Sequence, residues 1–249
     1  MLDGIGASAA WAILQRDGES LQTRFAARRD NASDADRFRA RAPQIDSVDA
    51  LLRDRRSLSM VLEAFQLEGE IDKRAVLRKL MTEDPADPAS FANRMADPRY
   101  RQISAAFGGR NDAPLARGAL VERIIKAAMV NRFEKAAGEG NPGLREALYF
   151  RRTIAAIGSV PALMSDRALT TVARGALGLP SQFGLLDYER QRDTFTNRLD
   201  PAAFTDQRAM DRMVQRYLIR IGSDSAPSDP RLALLSGGGT ALPGFSLVV

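Results

Sequence analysis

A 23-residue stretch of this chain returns 112 positions later. Ile45–Leu67 aligns without gaps on Ile157–Leu179, with nine identities: Ile45/Ile157, Ser47/Ser159, Val48/Val160, Ala50/Ala162, Leu51/Leu163, Asp54/Asp166, Arg55/Arg167, Ala64/Ala176 and Leu67/Leu179. A second block follows at nearly the same spacing, Asp87-Pro88-Ala89-Ser90-Phe91 against Asp200-Pro201-Ala202-Ala203-Phe204. Such a repeat constrains architecture strongly and chemistry hardly at all. The expectation is two related helical units, an internal duplication over about 45–107 and 157–221, arranged around one shared, continuous core.

The units read as helical throughout. Apolar positions recur at intervals of three and four, and alternating Val/Ile/Thr runs are missing, so the fold class is all-α and multihelical. Asp84-Pro85, Asp87-Pro88, Asp97-Pro98, Asn141-Pro142 and Asp200-Pro201 each place a capping acceptor before a residue whose missing N–H is harmless in a first turn, and each reads as a helix start. The spacing predicts a helix over about Ala7–Arg28, a polar joint near Asp30–Asp34, and helices at Ala35–Arg41, Ser47–Leu52, Arg55–Phe65, Asp72–Thr82, Pro88–Met95 and Pro98–Phe107. Gly108-Gly109 stops this half. The longest helix, Leu115–Ala137, is expected to be capped by Gly138 and to form an antiparallel hairpin with Pro142–Ile157. Helices at Ser159–Met164, Asp166–Leu177, Asp187–Asn197 and Gln207–Ile221 follow. One all-helical domain over 1–221, with halves 5–110 and 115–221, is therefore expected to precede a flexible Gly/Pro/Ser-rich tail at 222–249.

Composition removes several chemistries. The chain has no cysteine and no histidine, so disulfides, thiolate catalysis and the usual neutral-pH base are unavailable to it. No phosphate-binding loop is present, since Gly237–Gly239 runs into Thr240 without a lysine. Carboxylate pairs such as Glu68/Glu70 and Asp84/Asp87 leave room for a carboxylate- or lysine-based enzyme as an alternative, but the expectation is a non-enzyme with no cofactor and no metal. No segment approaches the roughly 20 apolar residues of a membrane span. The short apolar run Gly4–Leu14 follows Asp3 and reads as a helix face, not as a cleaved signal.

The formal charge is +5, carried by 32 Arg and only four Lys. An anionic partner would explain such an excess of arginine, but the interspersed acids and the lack of a dense basic block fit the codon bias of a GC-rich genome better. One local pattern stands out. Arg208, Arg212, Arg216 and Arg220 lie at steps of four, drifting only about 40° per step, so they share one helix face opposite Met210, Met213, Val214, Tyr217 and Ile221. That face is either a docking surface for an acidic partner or nucleic acid, or a solvated face relieved locally by Asp206 and Asp211. In the tail, Leu234, Leu235 and Phe245 either pack on the chain's own body, stay disordered, or serve as further candidate partner contacts. Trp11, the lone tryptophan, is expected in the core.

Several segments together carry a resemblance: Gly6–Arg16, Ala92–Gly108 (ANRMADPRYRQISAAFG), Gly140–Arg152 (GNPGLREALYFRR), Ala176–Pro180 (ALGLP) and Asn197–Phe204 (NRLDPAAF). Over about residues 5–221 the chain resembles the alphaproteobacterial domain-of-unknown-function family twelve-seventeen. The resemblance implies an all-helical fold and a gene often found with flagellar genes. It carries no catalytic or ligand residue. It makes the leading expectation an accessory or interaction protein of flagellum assembly or export, with a protein partner, residing in the cytoplasm or exported by the flagellar apparatus. The alternative is an Arg-rich regulatory protein that binds nucleic acid through the last helix.

Overall fold

The computed structural model describes residue 2, residues 5–109, residue 112 and residues 114–225, with side chains as far as residue 222. In chain order the α-helices are α1 (Ala7–Ala26), α2 (Arg29–Arg41), α3 (Val48–Arg53), α4 (Arg55–Ala64), α5 (Arg74–Thr82), α6 (Phe91–Arg94), α7 (Pro98–Phe107), α8 (Gly118–Glu139), α9 (Leu144–Thr153), α10 (Val160–Met164), α11 (Arg167–Ala176), α12 (Tyr188–Arg198) and α13 (Gln207–Ser225). Single 3₁₀ turns occur at Ala42–Gln44, Glu68–Glu70, Ile154–Ala156, Ser181–Leu185 and Pro201–Thr205. Among the described residues no strand forms, and no helix is long and apolar enough to cross a membrane.

Aligned positions of the repeat carry the same local devices. Ser47 Oγ accepts from the Ala50 N–H at 3.1 Å, and Ser159 Oγ accepts from the Ala162 N–H at 3.3 Å, capping α3 and α10. Asp54 caps α4 through the Ser57 N–H, and Asp166 caps α11 through the N–H groups of Ala168 and Leu169. Both helices end alike: the Leu67 N–H reaches Leu62 O at 2.8 Å, and the Leu179 N–H reaches Arg174 O at 3.0 Å. The turn this needs sits at Gln66 (φ 57°) in one stretch and at Gly178 (φ 67°) in the other. The likeness also extends upstream, where α2 and α9 each bury a phenylalanine, Phe38 and Phe150, and run into a 3₁₀ turn. Because Asp166 also binds Tyr149, Asp166→Ala is expected to lower stability by about 1–2 kcal/mol, measurable by urea denaturation.

Four expectations are corrected. The polar joint at Asp30–Asp34 is helical, since α2 begins at Arg29; the real corner is Ala27–Arg28, where buried Asn31 donates from Nδ2 to Phe25 O at 2.8 Å. Asp84 and Asp87 do not start helices: each carboxylate accepts from the N–H two residues on, forming turns, and only the short α6 follows. Asn141 is not a cap either, because its Nδ2 donates to Leu2 O and α9 starts after Gly143. Gly138 lies inside α8, not beyond it. A Cβ there would stand 2.8 Å from Arg145 Cβ, so its glycine is explained by the close approach of α9.

Buried apolar residues gather in two clusters, not in the single continuous core expected. The first joins α2–α7 to the front of α8 through Phe38, Leu51, Leu62, Leu80, Phe107 and Ile124. The second joins α9–α13 to the end of α8 through Phe133, Phe150, Leu169, Phe195 and Val214. Helix α8 is the common spine. Helix α1 crosses over: Trp11, Leu14 and Phe25 belong to the second cluster, with Phe25 meeting Phe133 edge to face at 5.6 Å. The first half drawn from sequence, 5–110, therefore does not coincide with the first cluster. Trp11 is 1% exposed, so it is core.

Candidate partner-binding surface

Helix α13 buries Met210, Val214, Tyr217 and Leu218 against α11, α1 and α9, which leaves its other face in solvent. Arg208, Arg212, Arg216 and Arg220 all stand exposed on that face. The two acids expected to relieve them are occupied elsewhere. Asp206 accepts from the Arg208 N–H at 2.8 Å, and Asp211 turns toward Arg151 of α9 at 3.6 Å. Among the described residues none of the four guanidinium groups forms an ion pair. Ile219 shares the face and is 61% exposed.

The buried side of α13 fits tightly on α11 because α11 carries Gly175. A Cβ at that position would lie 2.5 Å from Tyr217 Cδ2. Beside this contact the helices leave a cleft of about 360 Å³ whose wall includes Arg174, Arg220, Leu179 and Pro180. The 3₁₀ turn at Ser181–Leu185 closes one side, where a Cβ on Gly184 would meet Arg174 Nη1 at 3.5 Å.

Arg174 also lines a larger cleft, about 770 Å³, between the two halves. Arg145, Glu146 and Tyr149 of α9 and Asp166, Arg167 and Thr171 at α11 form one wall; Gln66 and residues 96–99 form the other. Arg99 bridges locally, donating from Nη1 to Gln66 O at 2.6 Å and from Nε and Nη2 to Asp97. Burial opposes ionisation of Asp97, but Arg99 outweighs it and holds the carboxyl below its usual range. Tyr149 donates to Asp166 Oδ2 at 2.6 Å; burial first, then this bond, push its phenol well above the ordinary tyrosine value. Asp97 and Asp166 are thus committed to the protein itself. Guanidinium forks remain, and these suit carboxylate or phosphate groups.

Of the residues singled out in the sequence, the four arginines come together as foreseen, while Leu234, Leu235 and Phe245 lie outside the described residues. Glu68 accepts from Asn131 and Lys135, and Glu70 pairs with Lys73, so these two do not form a working carboxylate pair. The sequence reading missed Arg174. Its signal was in the repeat alignment, where Arg174 occupies the position of Leu62, a residue wholly buried in α4.

A model for the family "Protein of unknown function (DUF1217)" matches residues 64–210. The fold is also similar to that of a crystal structure of a protein from Agrobacterium tumefaciens, with a TM-score of 0.77 and 24% identity over 88% of this chain and 94% of that one. No curated protein matches significantly. With a match across more than half its length and an all-helical architecture, the chain belongs to this family of proteins of unknown function.

Proposed function

We propose that the protein is a non-enzymatic accessory protein that binds a protein partner through the arginine face of α13, in assembly or export of the bacterial flagellum. The observation that carries the binding role is four exposed guanidinium groups on one helix face whose neighbouring acids are engaged elsewhere. Like charges at that spacing oppose one another by about 0.2–0.5 kcal/mol per pair, a standing disadvantage that an acidic partner would remove. The flagellar setting is supported by the gene context that the family resemblance implies. Deleting the gene is expected to impair swimming; normal swimming with intact basal bodies would refute the proposal.

The alternative of nucleic-acid binding draws on the same face. It predicts retention on nucleic acid at low salt that Arg212→Glu with Arg216→Glu abolishes. Retention unchanged by that pair rejects it. We also infer that the two halves descend from one duplicated unit, supported by the matched serine and aspartate caps at a 112-residue offset. An experimental structure in which 45–67 and 157–179 do not superpose would contradict this.

A further inference from the structure

The arginine face of α13 does not end with α13. Arg220, its last member, lines the smaller cleft together with Arg174. Arg174 lines the larger cleft too, together with Arg167 and Arg145. We propose that these groups form one basic track, along α13 and through Arg174 into the cleft between the halves, and that its occupant is an acidic protein segment with apolar residues beside its carboxylates. This rests on the reading of α13 as the partner surface and adds the partner's chemistry and the site's extent.

Three observations select that occupant. First, the helical part of the track, Arg208 to Arg220, is about 18 Å long at 1.5 Å per residue, which calls for an extended or helical segment and not for a small ion. Second, the track is bordered by exposed apolar groups. Ile219 lies on the α13 face, and Leu185, 86% exposed, ends the 3₁₀ turn that forms a wall of the smaller cleft. A protein segment covers such groups with its own apolar side chains; a phosphodiester backbone does not. Third, the larger cleft mixes Glu146, Asp97 and Asp166 with its arginines. A uniformly charged polyanion meets repulsion there, whereas a peptide segment can set uncharged residues against those acids and its carboxylates against the arginines. Its tyrosines are also unavailable for base stacking, since Tyr149 is 9% exposed and Tyr217 of the smaller cleft only 2%.

Fluorescence anisotropy on the purified full chain tests this, with three probes: a labelled 20-residue peptide of Glu and Leu at helical spacing, a Glu/Ser/Gly peptide of equal charge, and a single-stranded oligonucleotide of equal charge. The Glu/Leu peptide is expected to bind about tenfold more tightly than either other probe. Arg216→Glu, Arg174→Glu and exposed Arg167→Glu are each expected to weaken it by about tenfold, while Arg56→Glu on α4 leaves it within about twofold. Circular dichroism establishes that each variant is folded. Loss with Arg216→Glu but not with Arg174→Glu or Arg167→Glu would confine the site to α13 and overturn the track while leaving the proposed function intact. Tighter oligonucleotide binding through the same arginines would overturn the partner class. Absence of binding, or binding indifferent to all three substitutions, would overturn both parts of this inference, and the swimming phenotype decides the proposed function separately.

Discussion

Arg152→Met is expected to lose about 3 kcal/mol of stability at neutral pH and to recover part of that loss as the pH is lowered toward the ordinary glutamate range. The reason lies on α8, where Glu134 is 2% exposed and points its carboxylate at α9. Its two oxygens accept from Arg152 Nε at 2.9 Å and Nη2 at 3.2 Å. Burial pushes the Glu134 carboxyl above the usual glutamate range, while Arg152, then Arg145, pull against it. Without Arg152 a buried carboxylate is left without its hydrogen-bonding partner, and the figure sits at the low end for a broken buried pair because Arg152 is half exposed. The sign follows from the raised folded-state value. The folded state prefers the protonated form, so that contribution is full below the ordinary glutamate range and fades as pH rises through the folded value. The deficit relative to wild type must therefore shrink as pH falls. Urea denaturation at neutral and at lowered pH measures it. A deficit that ignores pH would assign Arg152 to packing over the Tyr149 ring, 5.2 Å from its guanidinium carbon.

Gly175→Ala is expected to destabilise by about 2 kcal/mol, although alanine ordinarily improves a helix interior by about 1 kcal/mol. The new methyl would collide with Tyr217, which is itself 2% exposed and packed against α11. Replacing Tyr217 with Leu in the Gly175→Ala background should then restore part of the loss, even though Tyr217→Leu alone is destabilising. Thermal denaturation of the two single variants and the double variant measures the coupling. Simple additivity would show that the loss does not come from the contact with Tyr217, and a Gly175→Ala variant as stable as wild type would show that α11 and α13 move apart at little cost.

Much of the fold was legible because local chemistry repeats. Ser47, Ser159, Asp54 and Asp166 are matched positions of the repeat in sequence and matched caps in space, and Asp97-Pro98 opens a helix whose bounds match the pattern. The misreadings arose where an aspartate or asparagine had more than one partner available. Asp84 and Asp87 close turns with their own backbone, and Asn141 reaches Leu2, 139 residues away in sequence. That α1 joins the second cluster is a tertiary choice that no periodicity encodes; Trp11 and Phe25 are equally apolar wherever they are buried. The arginine face of α13 was legible for a different reason, since helical spacing alone aligns its four members. That Arg174, Arg167 and Arg145 share one cleft was not, because α9, α11 and the start of α7 meet only in the folded chain.

The role assigned to α13 is tested most directly by swimming in a deletion strain that carries the gene with Arg212→Glu and Arg216→Glu. Both side chains are exposed and free of ion pairs among the described residues, so the variant is expected to fold and to accumulate like wild type. The account predicts that swimming is not restored while the wild-type gene restores it. Full restoration by the double variant, at equal protein level, would contradict it.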